Sequence, residues 1–155
     1  MLDATGSNPV RRTTLAQKTD VDMTTQKGDT AELAAALKLR KLGYAVSFPF
    51  GDHSRYDLVV DDGDSLHRAQ VKNAKRYDEK GIIKFRCISG KGSKDRSYTK
   101  EDIDCFLAYE PSCDELFWVD VEDAPKTSMT LRFRTTKNGQ KRNINEAGRY
   151  ILCGK

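Results

Sequence analysis

The sequence lacks a long apolar run. Hydrophobic residues make up 37% of the 155 residues, and the polar first 27 residues contain no segment typical of a signal peptide or a membrane span. We therefore expect a soluble intracellular protein. The length is sufficient for one domain with its own core and too short for two.

Paired cysteines are also missing. Cys87, Cys105, Cys113 and Cys153 are scattered, with no Cys-x-x-Cys pair and no accompanying histidine pattern. A structural zinc site needs ligands clustered at such spacings. We predict that the cysteines are reduced and that structural zinc is absent.

Basic residues are absent from one long stretch. Residues 101–125 contain nine acidic side chains and no Lys or Arg. By contrast, residues 84–100 carry six Lys/Arg against Asp95, and residues 126–149 carry seven against Glu146. Segregated charge of this kind is typical of a nucleic-acid binder, although solvated charge runs are common in other proteins.

The first part of the chain divides into a tail and a helix. Residues 1–27 show no helical or strand periodicity, which predicts a flexible polar tail before a domain over residues 28–155. The pattern over residues 29–42 predicts a helix, with Asp29 as its N-cap and Gly43 as its stop.

Glu32 is the candidate functional residue of this helix. Helical spacing aligns it with Ala35, Ala36 and Leu39, which should pack on a sheet. Its carboxylate can therefore lie at the edge of the buried face. The alternative is that Glu32 only completes a capping box with Asp29.

A β-hairpin is predicted around Gly63-Asp64. Residues 55–60 and 66–72 form its arms, and Gly63-Asp64 forms a two-residue turn. A hairpin folded about this turn places residues whose numbers sum to 127 opposite one another. The apolar residues of the two arms should then point together into a core, namely Tyr56, Leu58, Val60, Ala69 and Val71.

The opposite face of the hairpin gathers polar groups. The predicted register places Asp57 opposite Gln70, and Arg55 opposite Lys72. A carboxylate, an amide and an ammonium group on one face are unusual for a merely solvated surface. A structural ion pair between Asp57 and Lys72 is the alternative explanation.

These residues resemble a known family. Asp57 followed by Gln70-Val71-Lys72, with Glu32 on a preceding helix, resembles the PD-(D/E)XK nuclease core. More narrowly, the pattern resembles the branch that includes intron-encoded homing endonucleases, where Gln replaces the second acidic residue. The resemblance implies an α/β, restriction-endonuclease-like fold with a central mixed β-sheet and flanking helices.

The resemblance also implies metal-dependent cleavage of DNA. Mg²⁺ is the expected cofactor, with Mn²⁺ able to substitute, and its expected ligands are Asp57, the Gln70 side-chain oxygen and the Val71 backbone carbonyl. Glu32 would contribute directly or through a water molecule. Lys72 would stabilise developing negative charge or lower the pKa of the attacking water.

Basic loops and an edge strand carry the candidate contacts to double-stranded DNA. Residues 90–96 predict a flexible basic loop, and residues 129–134 alternate as an edge strand with a basic outer face. Residues 135–143 mix cations with amides, which can bind phosphates and base edges. The candidates are Lys91, Lys94, Arg96, Arg132, Arg134, Lys137, Asn138, Gln140, Lys141 and Arg142.

A double-strand break needs two such sites, which implies a homo-oligomer, either a dimer or a tetramer. The small chain resembles homing endonucleases more than multidomain restriction enzymes, implying site-specific cutting in a cytoplasmic, nucleoid-associated protein. Two alternatives stay open. They are a structure-specific nuclease of the Holliday junction resolvase type, and an inactive DNA-binding module, since Gln70 removes one usual acid.

Overall fold

A mixed five-stranded sheet lies at the centre of the protein. The computed structural model describes residues 20–51, 53–90, 96–135 and 144–154. Its elements are helix α1 (Asp20–Lys41) and strands β1 (Ala45–Ser47), β2 (Leu58–Asp61), β3 (Leu66–Asn73), β4 (Lys75–Tyr77), β5 (Ile82–Arg86), β6 (Ile88–Ser89), β7 (Arg96–Ser97), β8 (Cys105–Glu110), β9 (Glu115–Asp120) and β10 (Ser128–Arg132). The central sheet has the order β1-β2-β3-β8-β9. Only its β3–β8 pair is parallel, so the predicted mixed sheet is confirmed.

The predicted hairpin forms in the predicted register. Leu58 pairs with Ala69, and Asp61 pairs with Leu66 at the other end of the β2–β3 ladder. The amide of Gly63 donates to the Asp61 carboxylate over 2.7 Å, and Gly63 has a φ of 92°, which favours glycine. The turn residues therefore set the register, although β2 begins at Leu58, later than expected.

Helix α1 covers one face of the central sheet. Its contact surface is rich in alanine, and these short side chains let the helix lie close to β2, β3 and β8. This first core cluster consists of Ala31, Ala35, Ala36, Leu39, Leu58, Val60, Ala69, Val71, Cys105, Leu107 and Leu116.

A second sheet covers the other face. Strands β10, β5 and β4 form an antiparallel sheet in that order, and β10 is an edge strand as predicted. Apolar residues alternate with polar ones along β5 and β10, which suits a sheet with one buried face. The second core cluster includes Ile83, Phe85, Phe106, Ala108, Phe117, Val119, Met129 and Leu131.

A helix and a second sheet therefore cover the two faces of the central sheet. Over the described part of the chain, α1 is the one α-helix that packs on the central sheet. Tyr56 differs from expectation, because it packs against the second cluster and away from Leu58. The alternation of β2 does not extend back to residue 56, since the strand begins at Leu58.

Helix α1 also begins earlier than predicted. It starts at Asp20, so Asp29 lies inside the helix and is not its N-cap. The Thr30 hydroxyl donates to the Gln26 carbonyl over 2.7 Å, an interaction within a continuous helix. Residues 20–27 are thus helical, and the rest of the predicted tail, residues 1–19, lies outside the described residues. No helix of the described ranges is long and apolar enough to cross a membrane.

Candidate active site

Asp57 lies just before β2 and is held against β3. Its backbone amide donates to the carbonyl of Ala69 over 2.9 Å, which extends the hairpin ladder by one bond. Its Oδ2 atom accepts a 2.8 Å hydrogen bond from the Val71 amide and a second bond from Nε2 of Gln70. The structure therefore brings Asp57 and Gln70 together as the register predicted.

Gln70 lies in a confined position between two oxygen acceptors. The residue is 8% exposed, although it is polar. Besides its bond to Asp57, Nε2 lies 3.4 Å from the carbonyl oxygen of Val71. The positively polarised end of the amide thus occupies the space between a carboxylate and a carbonyl.

The three groups fit the demands of a hard divalent cation. Mg²⁺ and related ions prefer oxygen ligands, and a carboxylate, an amide oxygen and a backbone carbonyl supply them here. A half-turn of the Gln70 amide would replace its NH₂ group with Oε1 beside Asp57, an arrangement that a cation would stabilise. Among the described residues no three His, Cys, Asp or Glu side chains form a cluster that could hold a metal ion.

Lys72 is held by an aromatic residue that the sequence analysis missed. Its Nζ donates to the Tyr98 hydroxyl over 3.3 Å and lies 4.9 Å from the centroid of the same ring. The Arg55 guanidinium lies 4.6 Å from that centroid. The two cations predicted to face each other across the hairpin are therefore joined by Tyr98.

Asp102 binds Arg55, the second cation beside the Tyr98 ring. Its Oδ2 accepts a 3.0 Å hydrogen bond from Arg55, which also donates to the Ser97 carbonyl over 2.9 Å. Arg96 places its guanidinium 3.9 Å from Oδ1 of the same carboxylate. Of the predicted DNA contacts, Arg96 is thus connected to the site through Asp102 and Arg55.

Burial and charge shift the pKa values of three ionisable groups. Burial, together with the charges of Asp57 and Asp29, raises the pKa of Glu32 to about 7, and the charge of Lys72 opposes the rise. Burial also raises the pKa of Asp57, against the Val71 amide, the Lys72 charge and Gln70. Burial lowers the pKa of Lys72, and Asp57 opposes that shift. Glu32 is therefore electrostatically coupled to the predicted site.

Arg132 is the last residue of β10, and Arg134 follows it two residues later. Arg132 donates to the carbonyl of Lys80 over 3.3 Å, and Arg134 donates to the carbonyl of Asp78 over 3.0 Å. Both arginines thus flank the turn that precedes β5. The remaining predicted DNA contacts lie outside the described residues, namely Lys91, Lys94, Lys137, Asn138, Gln140, Lys141 and Arg142.

The exposed face of the second sheet is basic, which the sequence analysis did not single out. Lys84 and Arg86 are the exposed residues of β5, and Lys84 pairs with Lys75 of β4. Two like charges directly opposite each other destabilise an antiparallel pair. The alternation of buried Ile83 and Phe85 with these cations was the signal that could have revealed the face.

A helix packed on a mixed sheet gives this chain a PD-(D/E)XK-like fold. The model of the PD-(D/E)XK endonuclease family matches residues 22–153, and the chain belongs to that family. Its structure is similar to that of a bacterial homing endonuclease, I-Ssp6803I, with 25% identity and a TM-score of 0.65. The similarity covers 83% of this chain and 88% of that chain. A search of curated sequences gives no match.

Proposed function

We propose that this protein is a metal-dependent DNA endonuclease that makes site-specific double-strand breaks. The convergence of the Asp57 carboxylate, the Gln70 amide and the Val71 carbonyl carries the proposal. It is supported by the family, whose nucleases generally use divalent metal ions, and by similarity to a homing endonuclease. Mg²⁺ is the proposed cofactor, with Mn²⁺ as a substitute.

The proposed metal site is weakly charged. A bound cation would neutralise phosphate charge and lower the pKa of an attacking water. Asp57 would hold the cation with one negative charge, and the Gln70 amide would turn to offer its oxygen. Because Gln70 adds no charge, affinity for the cation should rise when a DNA phosphate joins the site.

Lys72 and Glu32 would act beside that site. Lys72, held by Tyr98, would stabilise negative charge as it develops on the phosphate oxygens. Glu32, with its pKa near 7, would be partly protonated in the free protein and would ionise as a cation approaches. As a carboxylate it could then orient a water molecule or bind the cation.

DNA would be held by basic side chains around this site. Arg96, Arg132 and Arg134, with the basic face of the second sheet, would contact phosphates. Lys91 and Lys94 would extend these contacts, and Lys137, Asn138, Gln140, Lys141 and Arg142 would read the target. Two subunits, or a multiple of two, would place one site on each strand.

The experiment that tests the proposal is cleavage of supercoiled plasmid DNA by the full chain, with Mg²⁺ or with EDTA. We expect nicking and linearisation only with the metal, and strong loss in Asp57→Asn and Lys72→Met. Asp123→Asn and Lys126→Met are matched controls, because these side chains are exposed and distant in sequence from the site. Full activity of Asp57→Asn would contradict the proposal.

The two alternatives predict different results in the same assay. A junction resolvase would cut four-way DNA irrespective of sequence. An inactive module, for which Gln70 in place of an acid is the supporting observation, would bind DNA tightly and cut none of these substrates under Mg²⁺ or Mn²⁺.

A further inference from the structure

Two leucines on the outer face of α1 are exposed. Leu33 is 64% exposed and Leu37 is 58% exposed, whereas the inner residues of the helix are buried on the sheet. Residues four apart are neighbours on a helix surface, so these side chains form one ridge. Burial of such a ridge against a partner would remove apolar surface from water.

Opposite charges lie at the two ends of this ridge. Asp29 precedes Leu33 by the same spacing of four, and Lys41 follows Leu37 by that spacing. Both charged residues are exposed, and neither forms a salt bridge within the described residues. The ridge thus reads acidic, apolar, apolar, basic.

This order is self-complementary when the helix is reversed. We propose that the α1 ridge packs antiparallel against the same ridge of a second copy of this chain. Leu33 then meets Leu37 of the partner subunit, and Asp29 meets Lys41 of the partner subunit, twice over because the contact is two-fold symmetric. A parallel contact would instead set like charges against each other, and the antiparallel one also aligns helix dipoles favourably.

The inference deepens the proposed function and rests on it for the need of two sites. Glu32 lies on the same helix as the ridge, so the contact would fix the separation of two candidate sites. The mass of the protein in solution nevertheless tests the contact without any cleavage. The two proposals can therefore fail separately.

The first experiment is sedimentation equilibrium of the full chain, with the concentration raised to roughly 100 µM to detect a weak dimer. We expect an even-numbered oligomer for the wild type and a halved mass for Leu33→Ser and Leu37→Ser. Leu66→Ser is the matched control, because Leu66 is 68% exposed but lies on β3. A monomeric wild type that still cuts plasmid would overturn the contact and leave the proposed function standing.

A charge reversal tests the register itself. Asp29→Lys and Lys41→Asp should each reduce the mass, because each variant sets like charges together. When the two variants are mixed, every pair becomes attractive again and a mixed dimer should form. An unchanged mass of either leucine variant, or failure of the charge variants to recombine, would overturn the antiparallel contact.

Discussion

The side-chain amide of Gln70 donates to the Asp57 carboxylate across the β2–β3 hairpin. This bond holds the two groups together without a second negative charge. A carboxylate in place of Gln70 would repel Asp57 in the folded protein and would create a stronger cation site. At position 70, a side chain that strengthens cation binding should therefore lower the stability of the folded protein.

We expect Gln70→Glu to lower the Tm in EDTA, because two buried carboxylates would then lie together. Added Mg²⁺ or Mn²⁺ should raise the Tm of this variant more than that of the wild type, by binding the folded state alone. Thermal unfolding against metal concentration measures both effects. Gln26→Glu is the control, since Gln26 is exposed on α1. Equal metal responses of Gln70→Glu and wild type would contradict the proposed ligands.

Glu32 should make stability depend on pH. Its pKa is about 7 in the folded protein against 4.5 ordinarily, so the folded state retains the proton more strongly. The resulting decrease in the free energy of unfolding is absent below pH 4.5, grows as the pH rises towards 7, and stays constant above pH 7. Glu32→Gln should therefore gain stability relative to wild type across that interval.

Urea unfolding in EDTA, at several pH values, measures this difference. EDTA is needed because a bound cation would lower the pKa of Glu32. Glu79→Gln serves as the control, because Glu79 is exposed in the turn before β5. A difference between wild type and Glu32→Gln that does not change with pH would refute the coupling of Glu32 to the site.

Local chemistry explains which parts of the site were predictable. The turn at Gly63 fixed the pairing of β2 with β3, and with it the contact of Asp57 and Gln70. Tyr98 contacts Lys72 only through tertiary packing, so no spacing pattern in the sequence predicts this contact. The start of α1 was missed for another reason, because Gly28, Asp29 and Thr30 have weak helix propensity and are helical in context.

Tyr98 should influence cleavage through Lys72. Tyr98→Phe removes the hydroxyl that accepts the Lys72 bond, and a hydrogen bond of about 1 kcal/mol corresponds to roughly a fivefold lower rate. Tyr98→Leu also removes the ring beneath Lys72 and Arg55, so its loss should be larger. Single-turnover plasmid cleavage measures both rates.

The pH profile of that rate separates positioning from a general loss of folding. Burial lowers the pKa of Lys72, and loss of the Tyr98 ring would expose its ammonium group to water, so the profile of Tyr98→Leu should move to higher pH. Tyr77→Phe is the control, because Tyr77 lies on β4 away from Lys72. A lower rate with an unchanged profile in both Tyr98 variants would show that Tyr98 does not act through Lys72.

Replacing one of the two opposed lysines of the second sheet should stabilise the protein and weaken its binding to DNA. Lys84→Ser removes the repulsion from Lys75, so the free protein should gain about 0.5 kcal/mol in its free energy of unfolding. The same change should weaken DNA binding and reduce the slope of log K against log salt by about 1, if Lys84 contacts a phosphate.

Urea unfolding measures the change in stability, and fluorescence anisotropy at several salt concentrations measures the change in DNA binding. Lys126→Ser, at an exposed lysine outside this face, should change neither quantity appreciably. A gain in stability with unaltered DNA binding would exclude this face from the proposed DNA contact, because Lys84 would then contact no phosphate.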